Sequence, residues 1–164
     1  MRIGKGRNKI IMSHTKKALM ALCLIFFAIQ LIQPAHNKSG QVSSSDFAVL
    51  YDVPKPVEYI LQNACYDCHS NNTQYPWYSN IQPLAWMMER HIKNGKEKLN
   101  FSEFGDNTKR KQVSRLKGIA NQIKDDAMPI STYKIMHKKS NLKIEQKTLI
   151  VDWMNKIADS LSIN

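Results

Sequence analysis

The chain has only three cysteines, and the close pair at Cys65 and Cys68 has no second pair to accompany it. A four-thiolate zinc site is therefore excluded. No two-residue hairpin turn joins alternating apolar runs, so a β-sheet is not expected. No alternating strand pattern surrounds the cysteine pair, which argues against a thioredoxin-like site. These absences leave a small helical protein whose chemistry depends on one short segment.

That segment is Cys65-Tyr66-Asp67-Cys68-His69. Two cysteines three residues apart, with a histidine directly after the second, form the attachment pattern of a covalently bound c-type haem. On a helical turn, residues three and four apart lie on one face. Both sulfurs can therefore meet the two vinyl groups of one porphyrin edge, while His69 ligates the iron.

Other chemistries can use the same residues. A zinc ion would need a fourth ligand, and His91 or His137 could supply it, although neither completes a paired histidine spacing. A plain structural disulfide would leave His69 without a role. The haem interpretation uses all three residues, and we expect one covalent haem c per chain.

The N-terminus has the pattern of an export segment. Residues 1–17 carry six basic side chains and no acidic one, and residues 18–33 are almost entirely apolar. This order predicts a signal-anchor with its basic side in the cytoplasm, or a cleaved signal peptide. Cys23 is expected to be a small apolar residue within that run. The protein would then lie on the periplasmic side of a bacterial inner membrane.

Charge supports the same division of the chain. The formal net charge is +11, but six basic residues precede the apolar run, so the high charge does not indicate nucleic-acid binding. Residues 34–50 are polar and predict a tether, and residues 51–164 predict one haem-binding domain. A basic stretch is either a solvated helix face or a docking patch for an acidic redox partner; it contains Lys109, Arg110, Lys111, Arg115 and Lys117.

Apolar spacing predicts an all-α domain of the small cytochrome c type, built around the covalent haem and preceded by the N-terminal membrane segment. Four helices are expected: one opened by Pro54 and Pro56, one from Pro83 to near Gly95, one from about Asn107 to before Met128-Pro129, and one over about Ile144–Leu161. Their expected apolar faces include Val57, Ile60, Leu61 and Ala64; Leu84, Met87, Met88 and His91; Val113, Leu116, Ile119, Ala120 and Ile123; and Leu149, Ile150, Trp153, Met154 and Ile157.

The loop over residues 70–82 brings Tyr75, Trp77 and Tyr78 close after the haem motif. We expect these rings either to cover the porphyrin edge or to pack in the core.

One axial position of the iron remains to be assigned. Methionine there raises the reduction potential, histidine lowers it, and an open site permits ligand binding. Met87, Met88 and Met154 lie on helical stripes and are expected in the core. Met128 precedes a proline outside the helices, so it is the first candidate for the sixth ligand, and His91 and His137 are the alternatives.

Longer motifs resemble a known family. The stretch NACYDCHSNNTQYPWYSNIQP at 63–83 and HIKNGKEKLNFSEF at 91–104, with AMP at 127–129 and LIVDW at 149–153, is similar to the bacterial haem-binding domain family common in Bacteroidetes. The resemblance covers about residues 50–158. It implies a small, mostly helical c-type haem domain with Cys65, Cys68 and His69 at the haem and Met128 at the Met-Pro position. Lys143 departs from the pattern, because Ser or Asp would be the natural cap of the last helix.

Three functions are compatible with these residues. The first is a membrane-anchored periplasmic electron-transfer cytochrome with His/Met iron, and we expect an electron carrier rather than an enzyme. The second is a peroxidase-like enzyme that uses His91 or His137 as a distal acid or base. The third is a haem-based sensor in which a small ligand displaces a weak sixth ligand.

Overall fold

The computed structural model describes residues 13–163, and this part of the chain is helical without any strand. One isolated antiparallel bridge joins Lys38 to Asn72. The prediction of an all-α domain is therefore confirmed. Most of the basic segment predicted over residues 1–17 lies outside the described residues, which begin at Ser13.

Eight α-helices and three short 3₁₀ turns make up the described part. The helices are α1 (His14–Ile29), α2 (Phe47–Leu50), α3 (Lys55–Ala64), α4 (Tyr66–His69), α5 (Leu84–Lys98), α6 (Lys109–Lys124), α7 (Ser131–Met136) and α8 (Ile144–Ile163), and the 3₁₀ turns are Trp77–Asn80, Phe101–Asp106 and Lys138–Ser140. The four predicted helices correspond to α3, α5, α6 and α8.

The starts of these helices follow from local sequence. Proline at the beginning of α3 fits a position whose N–H has no helical partner, and the predicted face of α3 is buried. The Thr108 hydroxyl accepts from the Lys111 N–H and caps α6. At α8, where Lys143 provides no cap, the Gln146 side chain reaches back and accepts from the Lys143 N–H at 3.0 Å. This bond replaces part of the missing cap.

The core lies between α3, α6, α8 and the turn at Phe101–Asp106. Phe47, Phe101 and Phe104 are fully buried, and their rings meet edge to face with centroids 5.0–5.1 Å apart. Leu116, Ile150 and Met154 join them from the long helices α6 and α8, which pack along each other. Leu149, predicted on the buried face of α8, is 41 % exposed instead.

The segment predicted as a tether makes specific contacts with the domain. Phe47 at its C-terminal end is part of the core. Near its N-terminal end, the Asn37 side chain donates to the Ser70 carbonyl at 2.8 Å, and the Asn37 carbonyl accepts from the Thr73 N–H at 3.0 Å. The N-terminal end of residues 34–50 is thus fastened to the segment after the cysteine motif, and the C-terminal end to the core.

The apolar run predicted as a membrane segment forms α1, whose side chains are exposed. Among residues 13–163, no helix combines the length and the apolar character needed to cross a membrane.

Candidate functional site

The cysteine motif forms the expected helical turn. The His69 N–H donates to the Cys65 carbonyl at 3.0 Å, and the Cys68 N–H donates to the same carbonyl at 3.2 Å. Cys65 itself bends the chain between α3 and α4, with φ −128° and ψ −47°. The motif is therefore a single helical turn at the end of a kinked helix.

Two backbone carbonyls orient the His69 ring. Its Nδ1 lies 3.0 Å from the Gly95 carbonyl oxygen and 3.0 Å from the Leu99 carbonyl oxygen. Carbonyls only accept, so Nδ1 carries the proton and Nε2 keeps its lone pair. Burial lowers the pKa of His69, which favours the neutral ring. A neutral imidazole whose second nitrogen donates to a carbonyl is the usual state of a metal-ligating histidine.

Gly95 makes this arrangement possible. A Cβ at this position would collide with the Cys68 carbonyl oxygen and would lie 3.1 Å from the Cys68 carbonyl carbon. The backbones of α4 and α5 therefore approach as closely as only glycine permits. The helix predicted to end near Gly95 continues to Lys98 instead, because the glycine allows the close contact with α4 and does not stop the helix.

The two thiols of the motif are free and protonated at neutral pH. Burial raises the pKa of Cys65 to about 12 and that of Cys68 to about 11. Reactive redox cysteines have a lowered pKa, so the environment of this pair does not suit thiol–disulfide exchange. Among the described residues, no group of three or more His, Cys, Asp or Glu side chains could hold a metal ion.

A mostly apolar cavity of about 190 Å³ opens beside the motif. It lies between α4, the loop after it, α5 and α7; its lining includes Asp67, Cys68, Thr73, Pro76, Tyr78, Leu84, Met87, Met88, His91, Ile92, Ile130, Tyr133, Met136 and His137. Its volume is below the roughly 300–1,000 Å³ of typical ligand pockets.

The structure separates the predicted site residues. Cys68 lines the cavity, Cys65 packs against the main core, and His69 is held between α4 and α5. Met128 is half-buried and is absent from the cavity lining, although Ile130 two residues later is part of it.

Unlike Met128, the alternative axial ligands His91 and His137 both line the cavity. The placement of Met87 and Met88 in the core is wrong: Met87 is 48 % exposed, and both side chains face the cavity. Met154 is buried as expected.

The aromatic loop contributes one ring to the cavity. Tyr78 lines it, whereas Trp77 is 78 % exposed. Tyr75 stacks on His36 with ring centroids 4.1 Å apart, and its hydroxyl accepts from the Asn37 N–H at 2.6 Å. Of the three rings, Tyr75 thus fastens the N-terminal segment, and only Tyr78 contacts the cavity.

Helix α7, which the sequence did not predict, forms one cavity wall. Tyr133 donates its hydroxyl to the Asp67 carboxylate at 2.7 Å, and the Tyr133 and His137 rings stack at 4.0 Å. Burial, together with this hydrogen bond, raises the pKa of Tyr133, so the phenol remains a donor. The four-residue spacing from Tyr133 to His137 was the available signal, but it is too short to predict a helix.

The residues at this site fit a haem: the His69 ring is neutral with a free Nε2, Cys68 lies on the cavity wall, and the cavity is largely apolar. Cys65 and His69 belong to the same helical segment as Cys68 but are not among the residues that line the cavity. Cys65 and Cys68 would hold the porphyrin and His69 would ligate the iron, which supplies one-electron redox chemistry when bound.

Comparison with known proteins agrees with this chemistry. A family model described as a haem-binding domain matches residues 24–156, which is most of the chain. No curated protein and no solved structure matches the sequence.

Proposed function

The chain belongs to the haem-binding domain family, and from that premise we propose that it is a c-type cytochrome that carries electrons outside the cytoplasm. Each motif cysteine would add its S–H across one vinyl group, with sulfur bonding one carbon and the hydrogen ending on the other. This addition needs no oxidant.

The observation that carries the proposal is the state of His69. Its Nδ1 proton is shared between the carbonyls of Gly95 and Leu99, which lie 26 and 30 residues away in sequence. A histidine that served only packing would not need two acceptors on one nitrogen. Orientation by a backbone carbonyl is what a permanent axial ligand needs, because it fixes the ring and makes Nε2 more basic.

Electron transfer is favoured by the apolar lining of the cavity. A haem there would be surrounded by methionine, leucine and isoleucine side chains, with one edge outside for the partner.

At the start of α6, Lys109, Arg110 and Lys111 are exposed and have no acidic partner in the described chain. Positive charge is unfavourable at a helix N-terminus, so this patch is costly for the fold but useful for attracting an acidic redox protein.

Residues 18–33 would deliver the domain to the periplasmic side of the inner membrane, either as a retained anchor or as a cleaved signal. The support is the basic-then-apolar order of the N-terminus together with a haem motif that is attached outside the cytoplasm.

A haem enzyme is the second candidate, and His91 is the observation that favours it. This imidazole lines the cavity, and its side chain makes no hydrogen bond within the described residues. A free imidazole beside the iron is what a peroxidase-like reaction would use as its base.

The test is expression of the full chain in a bacterium able to mature c-type cytochromes. We expect haem to remain bound after acidic organic extraction, and Cys65→Ala combined with Cys68→Ala to abolish that bound haem. Cys23→Ala is the matched control and should retain it. Haem that is fully extracted from the unmutated protein would contradict the proposal, and rapid peroxide turnover would favour the enzyme.

A further inference from the structure

His137 stands in the cavity in the same hydrogen-bonded state as His69. Its Nδ1 lies 3.2 Å from the Tyr133 carbonyl oxygen, which can only accept, so Nδ1 is the protonated nitrogen. Nε2 therefore keeps its lone pair, and its one neighbour is the Tyr78 hydroxyl at 3.4 Å. That bond is long and the hydroxyl rotates, so Nε2 is available to another partner.

Stacking on one face also fixes the orientation of the His137 ring. It stacks on Tyr133 with an interplanar angle of 14°, and Tyr133 donates to Asp67 at 2.7 Å. Asp67 is fixed in turn by the Gln74 N–H, which donates to its other carboxylate oxygen at 3.0 Å. Asp67 lies between the two motif cysteines, so the position of the His137 ring is tied to the same turn that would hold the haem.

We infer that His137 is the second axial ligand of the haem iron, which makes the iron bis-histidine. This inference rests on the proposed function. Tyr133 and Asp67 are positioning residues, since they orient the His137 ring without touching the iron. Ligation by a second histidine lowers the reduction potential relative to methionine, so the protein would be a low-potential carrier.

The other candidates lack one of these features. Met128 does not line the cavity. His91 lines it, but no hydrogen bond orients its ring, and it lies four residues before Gly95, on the face of α5 that supports His69. His137 comes from a different wall, at the C-terminal end of α7, and is both oriented and available.

The experiment uses the full chain with covalent haem. We expect the unmutated protein to give a low-spin, six-coordinate spectrum in both oxidation states, without the long-wavelength charge-transfer band of methionine sulfur on ferric iron. His137→Ala should lose the six-coordinate spectrum and gain carbon monoxide binding, and added imidazole should restore the original spectrum. His91→Ala and Met128→Ala remove the other two candidate ligands, and the iron should stay six-coordinate in both. His14→Ala, at an exposed position of α1, is the matched control and should leave the spectrum unchanged.

His137→Met distinguishes the loss of a ligand from a failure to fold. It should introduce the sulfur band and raise the reduction potential, which an unfolded chain would not do. The inference is overturned if the unmutated protein shows the sulfur band, or if the His137 variants keep its spectrum. It is also overturned if His91→Ala, rather than His137→Ala, opens the iron. Failure of the proposed function is distinguishable, since no covalent haem would then be present in any variant.

Discussion

Replacement of Gly95 by alanine tests the close approach on which the His69 geometry depends. A methyl group here would meet the Cys68 carbonyl oxygen at less than 3.0 Å, where ordinary contact starts at about 3.4 Å, and the neighbouring Cys68 carbonyl carbon lies at 3.1 Å. The obstacle is backbone, so it cannot rotate away. Helices α4 and α5 must therefore separate, and the hydrogen bond from His69 to the Gly95 carbonyl must weaken.

The size of the effect follows from three contributions. Overpacking costs about 1–3 kcal/mol, and loss of the His69 hydrogen bond costs about 0.5–1.5 kcal/mol. Alanine is favoured over glycine in a helix by about 1 kcal/mol, which offsets part of this cost. We expect Gly95→Ala to lower the free energy of unfolding by about 0.5–3.5 kcal/mol, and Tm by roughly 2–4 °C for each kcal/mol.

Gly118 in α6 provides the matched control. It is also a helical glycine, but a Cβ there would have nothing within 4 Å. Gly118→Ala should therefore stabilise the protein by about 0.5–1 kcal/mol. Urea unfolding of the haem-containing variants measures both values. The close contact is absent from the protein if the Gly95→Ala variant is as stable as the unmutated protein. The same conclusion follows if the Gly95→Ala variant is more stable, as is expected for the Gly118→Ala variant.

Two further predictions follow from buried polar groups. In the haem-free protein, burial lowers the pKa of His69, so the unfolded chain takes up the proton more readily. The free energy of unfolding of that haem-free protein should therefore fall as the pH drops below about 6.5, as unfolding at several pH values would show. Gln82→Ala should cost about 1–3 kcal/mol, because the fully buried Gln82 amide donates to the Ile32 carbonyl at 2.8 Å. It should also speed proteolytic cleavage near residue 33, whereas Gln62→Ala, at an exposed position, should do neither.

The helices could be predicted where local sequence determines them. In α3, proline at the start and apolar residues at helical spacing describe both the helix and its buried face. The turn at Cys65–His69 was predictable for the same reason, since its hydrogen bonds join residues three and four apart. Such features need no knowledge of the rest of the chain.

The site required contacts that local sequence does not contain. Periodicity identified the stripe of Met87, Met88 and His91 on α5, but an apolar stripe looks the same whether it meets other helices or a cavity. The carbonyl partners of His69 come from 26 and 30 residues away. Helix α7 has only six residues, too few for a periodic pattern.

An electron carrier of the proposed kind works fastest when its iron ligands move little between oxidation states, and hydrogen bonds would hold both proposed ligands, His69 and His137. On one side, the close contact at Gly95 brings two carbonyls to His69. On the other, the Asp67 carboxylate accepts a hydrogen bond from Tyr133, whose ring stacks on the ring of His137. Both supports start from α4, so one helical turn would fix the porphyrin and the rings on either side of it. Weakening either support should therefore loosen one ligand while the covalent attachment stays intact.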